Sequence, residues 1–238
     1  MDRTISLFSA EASGPGLSDL AGLLCCQGQI TGFGRTAARL SVIVDEQWRA
    51  RVLARECRRR GADAQVSVAE CGRPQVRTSF RAALLPLAGQ WLRVGWSGPS
   101  EDDSGKTLPT GFRLSGAMLH MWALAAGRQG PSGYLLGLDP LAPHLHDDLL
   151  AALAPLGVHA RLLGPKAEEP AARVAGRRKL DGLLEVIGEP PAGAEAAWPE
   201  LPEQPETRPE RTEGDSRRGG GGESPLQYLL GDVLEAVG

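Results

Sequence analysis

The sequence predicts an α+β fold of two tandem αββαββα repeats with pseudo-two-fold symmetry, then a disordered tail and a short C-terminal helix. Three observations predict it. Hydrophobic spacing switches between helical and alternating periods in the same order in each half of residues 17–188. Landmarks recur at a near-constant offset: Gly28 and Gly127 lie 99 apart, and Gly61-Ala62-Asp63-Ala64-Gln65 and Gly157-Val158-His159-Ala160-Arg161 begin 96 apart. Beyond residue 188 the chain turns to Pro, Glu, Gly and Arg without a period, until a final patterned stretch.

Residues 1–16 contain Gly14-Pro15-Gly16 and read as a flexible lead-in. The first repeat spans 17–94. An apolar helix begins at Leu17, with Ser18 or Asp19 available as a cap and Leu20, Leu23 and Leu24 on one face. Gly22 leaves room for a second helix to come close. Gly28, Gly32 and Gly34 surround a first strand. The β-branched, partly alternating stretch 38–44 predicts a second strand. Asp45 can cap the next helix, 46–60, whose Trp48, Val52, Leu53 and Cys57 make an apolar stripe with the arginines mostly outside it. Gly61 ends that helix. Residues 64–68 and 76–80 read as a hairpin, and 82–90 as a closing helix. Residues 95–112 are rich in Gly, Ser and Asp and read as a linker. The second repeat, 113–188, starts the order again: a helix over 114–126 ended by Gly127, a strand at 134–138, and a helix over 143–156 ended by Gly157. A hairpin follows at 159–163 and 171–175, then a helix over 177–187. Residues 189–223 form an acidic Pro/Glu/Gly-rich linker expected to be disordered. Residues 224–238 read as an amphipathic helix, with Ser224 and Pro225 at its start and Leu226, Leu229, Leu230, Val233 and Leu234 on one face.

The segment Leu20-Ala21-Gly22-Leu23-Leu24-Cys25-Cys26-Gln27-Gly28 resembles the nine-residue signature of the LAGLIDADG homing endonucleases. Its apolar and glycine positions match, and both acids are replaced, by Cys25 and Gln27. In that family the second acid holds the divalent metal that activates water for DNA cleavage, and a neutral amide is a poor substitute on a hard cation. The second repeat's version is Leu119-His120-Met121-Trp122-Ala123-Leu124-Ala125-Ala126-Gly127, with Ala126 at the metal-binding position. The core also resembles the degenerate N-terminal LAGLIDADG domain of the WhiA sporulation regulators, which does not cut DNA. That likeness lies in the helix ending at Gly28, strand 40–44, the helix holding Arg49 to Arg60 and the Gly61-Ala62-Asp63-Ala64 turn. It continues through Leu124-Ala125-Ala126-Gly127, Leu156-Gly157-Val158-His159-Ala160 and Leu183-Leu184-Glu185-Val186-Ile187-Gly188. The helix-turn-helix domain that follows this core in WhiA is not legible in residues 189–224. The resemblance therefore implies the fold without cleavage: no catalytic residue, no metal site and no cofactor.

The net charge of −3 conceals a division. Residues 1–189 carry 22 Lys+Arg against 19 Asp+Glu, and residues 190–238 carry 4 against 10. Arg outnumbers Lys 23 to 3, which permits bidentate phosphate contacts, although a GC-rich genome is the preferred account of the bias itself. The resemblance implies that DNA lies along the strand faces. Candidate contacts are Arg35, Arg39, Arg73, Arg77 and Arg81 in the first repeat, and Arg128, Arg161, Arg173, Arg177, Arg178 and Lys179 in the second. Alternation from Arg77 to Arg81 places Arg77, Ser79 and Arg81 on one face. The expected partner is double-stranded DNA, with an architectural, regulatory or genome-maintenance role. The alternative is a protein-interaction adaptor on the same fold that uses residues 224–238 and binds no nucleic acid.

Other motifs reduce to structure. Arg58-Arg59-Arg60 suits the negative end of a helix dipole. His144 and His146, two apart on a helix, diverge rather than converge on a metal. Gly219 to Gly222 has no following Gly-Lys-Ser/Thr and is not a phosphate loop. Four cysteines without CxxC spacing read as buried reduced thiols. No stretch is long and apolar enough to cross a membrane, and the N-terminus lacks a signal-peptide pattern, so a bacterial cytoplasmic location, at the nucleoid if DNA is bound, is expected.

Overall fold

The structure, a computed structural model, describes residues 9–12, 14–93, 104–163 and 169–201. A 3₁₀ turn, Leu17–Leu20, runs into helix α1, Ala21–Leu24. Strands β1, Gln29–Phe33, and β2, Ala37–Ile43, precede helix α2, Gln47–Arg59, and strands β3, Ala64–Val68, and β4, Pro74–Thr78. A 3₁₀ turn and helix α3, Leu85–Trp91, close the first repeat. The second repeat begins with α4, Gly116–Ala126, followed by β5, Gly127–Gly130, and β6, Gly133–Gly137. Then come α5, His146–Leu153, β7, Arg161–Leu162, β8, Ala171–Val174, and α6, Arg177–Ile187. Each repeat makes one antiparallel four-stranded sheet, ordered β1-β2-β4-β3 and β5-β6-β8-β7. The expected repetition is therefore present element by element.

The repeats join through their opening helices. Gly22 lies directly against the backbone of α4: a Cβ added there would stand 1.9 Å from the Met118 carbonyl oxygen. Leu20, Leu23, Leu24, Leu119, Trp122 and Ala123 are fully buried around this approach. Aliphatic side chains from both sheets complete one continuous core, as a chain with 5% aromatics requires. Ser115 caps α4 by accepting from the Met118 amide at 3.2 Å. Trp122 reaches β6, its indole NH donating to the Gly137 carbonyl at 2.7 Å.

Several expectations are corrected. Asp45 does not cap α2; the N-cap residue is Glu46 with no side-chain cap, and Asp45 instead pairs with Arg73 at 2.6 Å. Arg49 in α2 and Arg60, its C-cap residue, are buried rather than outward. Arg60 bridges Asp19 (3.1 Å) and Glu56 (2.8 Å), tying α2 to the start of the first motif helix. Arg49 is described below. Within the expected flexible lead-in, the Ala10 amide donates to the Val186 carbonyl at 2.8 Å. Residues 104–112 of the linker pack on α3, with Thr107 donating to Trp91 and Lys106 fully buried. Residues 189–201 of the expected disordered linker are instead ordered. Residues 189–201 form a strap whose Ala194, Ala197 and Trp198 are buried, and whose carbonyls at Ala192, Ala197 and Trp198 accept from Arg55, Tyr134 and Gln129. Cys25, Cys26 and Cys57 are buried, as expected, and Cys71 is exposed. Burial pushes the Cys57 thiol up to about 12, and it raises Cys25 and Cys26 as well. The segments holding the expected tail and C-terminal helix, with Leu226, Leu229, Leu230, Val233 and Leu234, lie outside the described residues. No helix among the described residues is long and apolar enough to cross a membrane.

Candidate nucleic-acid interface

Strand alternation sorts the side chains of each sheet. In β2, Ala38, Leu40 and Val42 face the core, so Arg39, Ser41 and Ile43 face outward. Register puts Arg77 opposite Ser41 and Gln65 opposite Arg77, giving one outward row of Gln29, Ser41, Arg77 and Gln65 across the sheet. In the second sheet Tyr134 and Leu136 face the core. Register then aligns Arg128, Leu135, Arg173 and Arg161 in one outward row. Among the described residues, the charged residues in the strands are Arg39, Arg77, Arg128, Arg161 and Arg173, and none is an acid. Arg39 and Arg77 are neighbours: partial burial, and then the charge of Arg77, lower the Arg39 pKa from its ordinary value.

The remaining candidates divide. Arg35 stands exposed in the β1–β2 turn. Arg73 pairs with Asp45, and Arg128, though in its strand row, pairs with Glu169 at 3.2 Å. Arg177, Arg178 and Lys179 form the exposed first turn of α6, off the strands. Arg81 does not share a face with Arg77. The β2–β4 ladder pairs Ser41 with Arg77, but the next bridge pairs Ala38 with Arg81, one residue out of step. The extra residue is a β-bulge. Leu40 donates across it to the Thr78 hydroxyl at 2.9 Å. Arg81 consequently stands on the side of core-facing Ala38, and Phe80 turns outward opposite Arg39, whose guanidinium lies 4.5 Å from the ring centroid.

A cleft between the repeats holds Gln27 and Ala126, the two positions where the resembled nucleases carry metal-binding acids. Its chemistry is set by two buried cations that sequence reasoning missed. Arg49 donates from its two terminal nitrogens to the carbonyls of Leu124 (2.7 Å) and Gly127 (3.0 Å), at the C-terminal end of α4. Lys106, from the segment joining the repeats, donates to the carbonyls of Leu24 and Cys26, at the C-terminal end of α1. Both motif helices thus end on a fixed positive charge, which suits their negative dipole ends and satisfies carbonyls left free by the helix. One buried carboxylate does lie at this junction, against expectation: Asp139, just past β6. It is bound to Lys106 at 2.7 Å, accepts the Leu141 amide at 2.9 Å, and receives the Gln29 amide at 3.4 Å. A metal has little to bind: Gln27 offers an amide and Ala126 a methyl group, the cleft's two carboxylates, Asp45 and Glu169, are each paired with an arginine, Arg73 and Arg128, and Asp139 beside it is paired with Lys106. These residues do not fit a divalent cation. His144 and His146 donate to separate carbonyls, those of Lys106 (3.0 Å) and Asp139 (2.8 Å), and steady the same junction. A sequence clue to Lys106 existed in its rarity, one of three lysines beside 23 arginines, but nothing in its Gly/Ser/Asp surroundings marked it as buried.

No family model matches the chain, and no curated protein matches it. Solved structures do. The homing endonuclease I-WcaI, bound to its DNA recognition sequence, is similar at 10% identity and a TM-score of 0.49, over 76% of this chain and 82% of that one. The N-terminal LAGLIDADG domain of DUF199/WhiA is similar at 10% identity and a TM-score of 0.44, over 73% and 81%. Full-length DUF199/WhiA from Thermatoga maritima is similar at 11% identity and 0.47, over 75% of this chain and 57% of that one. By its own topology, two αββαββα units joined through their opening helices, the fold is LAGLIDADG-like.

Proposed function

We propose that this chain is a catalytically inactive LAGLIDADG-like protein that binds double-stranded DNA through the outer faces of its two sheets. Its role on that reading is architectural, regulatory or genome-maintaining, at a bacterial nucleoid. The observation that carries the reading is the charge of the strands: five outward arginines, Arg39, Arg77, Arg128, Arg161 and Arg173, with no acid in the described strands and, of the five, Arg128 ion-paired with Glu169. Cations presented together on one surface are what phosphate contacts need. Inactivity is supported by the donor set at the cleft, where Gln27 and Ala126 replace acids and the nearby carboxylates Asp45, Glu169 and Asp139 are each paired with a cation.

The test is a mobility shift on duplex DNA across a salt series, with and without magnesium. The wild type shifts the duplex, and its affinity falls with salt by a log–log slope of roughly −0.9 per phosphate contact. Arg161→Ala with Arg173→Ala reduces that slope by about 2. Magnesium produces no nicking. Unchanged migration at low salt would sink the DNA reading and leave the adaptor, which is then tested by partner capture that depends on residues 224–238.

A further inference from the structure

One feature of the first sheet is not needed for contacting phosphates. Phe33 and Phe80 sit together on its outer face, with ring centroids 5.5 Å apart and planes tilted by 52°. Phe33 is 66% exposed and Phe80 40%. Neither side chain belongs to the core; the bulge after Arg77 is what turns Phe80 outward. Phe33 has glycine on both sides. A Cβ at Gly34 would meet nothing within 4 Å, and one at Gly32 only the Gly34 carbonyl oxygen at 3.8 Å, so the ring is not screened by its neighbours. Arg39 lies over Phe80, Arg77 adjoins Arg39, and Arg35 stands in the adjoining turn.

We infer that this patch is a stacking platform for unpaired nucleobases, which makes DNA with an unstacked base the preferred ligand of the first sheet. The inference rests on the DNA-binding reading above and names the form of DNA. The occupant must be anionic, because cations rim the aromatic pair and the strands of that sheet contain no acid. It must also present a flat apolar surface. A second copy of the chain does not fit, since a two-fold contact would set Arg39 and Arg77 against their own counterparts. A straight duplex does not fit either, because its base faces are sealed within the stack. A single strand, flap or bulge offers both a phosphate chain and open base faces, the combination that aromatic and arginine side chains bind together.

The experiment compares fluorescence anisotropy of labelled oligothymidylate and of a matched duplex, using the full chain. Phe33→Ala with Phe80→Ala is expected to weaken oligothymidylate binding roughly 10- to 100-fold, while duplex affinity changes less than about twofold, since phosphate contacts remain. Arg161→Ala with Arg173→Ala, on the other sheet, weakens the duplex. Both phenylalanines lie outside the core, and circular dichroism of the variants checks that the fold is retained. Equal losses on both ligands, or no loss on either, overturn the inference. So does a wild-type dimer in sedimentation that the double variant abolishes, because the patch is then a self-contact. Duplex binding without oligothymidylate binding ends this inference and spares the broader reading; binding of neither ends both.

Discussion

At the residue scale, the buried Lys106–Asp139 pair is the most consequential finding, because it holds the end of α1 beside the cleft that contains Gln27 and Ala126. Its ammonium is fully buried and its partner carboxylate nearly so. Lys106→Met leaves Asp139 charged in a dry site and is expected to cost about 3–5 kcal/mol in urea unfolding. Asp139→Leu added to Lys106→Met recovers much of that loss, because replacing both charges removes the uncompensated one. Additive losses would show that the two side chains are not coupled. His120 gives a pH-dependent counterpart. Its Nδ1 donates to the Ile187 carbonyl at 2.7 Å, and its ring meets Trp198 of the strap edge-on at 5.0 Å. Burial is the main cause that lowers its pKa from the ordinary 6.5; Arg60 lowers it further, and the hydrogen bond to Ile187, Glu56 and Glu11 oppose the shift. A histidine with a depressed folded pKa stabilises the fold fully above its unfolded value and loses that contribution as pH falls below it. Unfolding free energy is therefore expected to drop as pH falls below about 6.5, and His120→Asn to flatten the drop. An unaltered slope in that variant would assign the pH dependence elsewhere.

At the element scale, what was legible in the sequence was whatever repeats or breaks a period. The order of helices and strands and the stops at Gly61 and Gly157 could be read as local steric consequences of residue type, and Gly22 as a helix-packing site because glycine alone permits so close an approach. Gly22→Ala is the sharp case. The added methyl group would meet backbone at 1.9 Å, with no flexible side chain to yield. The better helix propensity of alanine, worth about 1 kcal/mol, cannot offset parting two helices. A net loss of about 3 kcal/mol or more is expected in chemical denaturation, and a neutral result would mean that α1 and α4 do not pack as described. Features that depend on a partner far along the chain were not legible. The bulge that separates Arg81 from Arg77 follows from pairing with β2, and strict alternation is blind to it. The strap over residues 189–201 has the composition of a linker. It is held by one tryptophan and a few carbonyls whose donors lie up to 137 residues away. Arg49 sits in an arginine-rich helix and differs from its neighbours only in pointing at the end of α4.

At the scale of the whole molecule, charge is divided along the chain in a way that bears on DNA affinity. Residues 1–189 are net basic and residues 190–238 net acidic. The strap passes Gln129 of edge strand β5, whose amide donates to the Trp198 carbonyl at 3.2 Å. The acidic sequence after Leu201 is covalently tethered to this strap. Eight acids and four bases follow that point. A tethered polyanion near a cationic surface competes with DNA at a high effective concentration, and the competition is electrostatic and so screened by salt. Ending the chain after Leu201 is accordingly expected to raise duplex affinity several-fold at low ionic strength, on the order of what a few neighbouring charges contribute, and to change it little near 0.5 M salt, where the Debye length falls to roughly 4 Å. Titration of duplex DNA with the full and shortened chains at both salt concentrations separates the outcomes. A gain confined to low salt supports competition for the strand arginines. Weaker binding at both salts would instead make the tail part of the DNA contact, and the arginine rows would then account for only a share of the affinity.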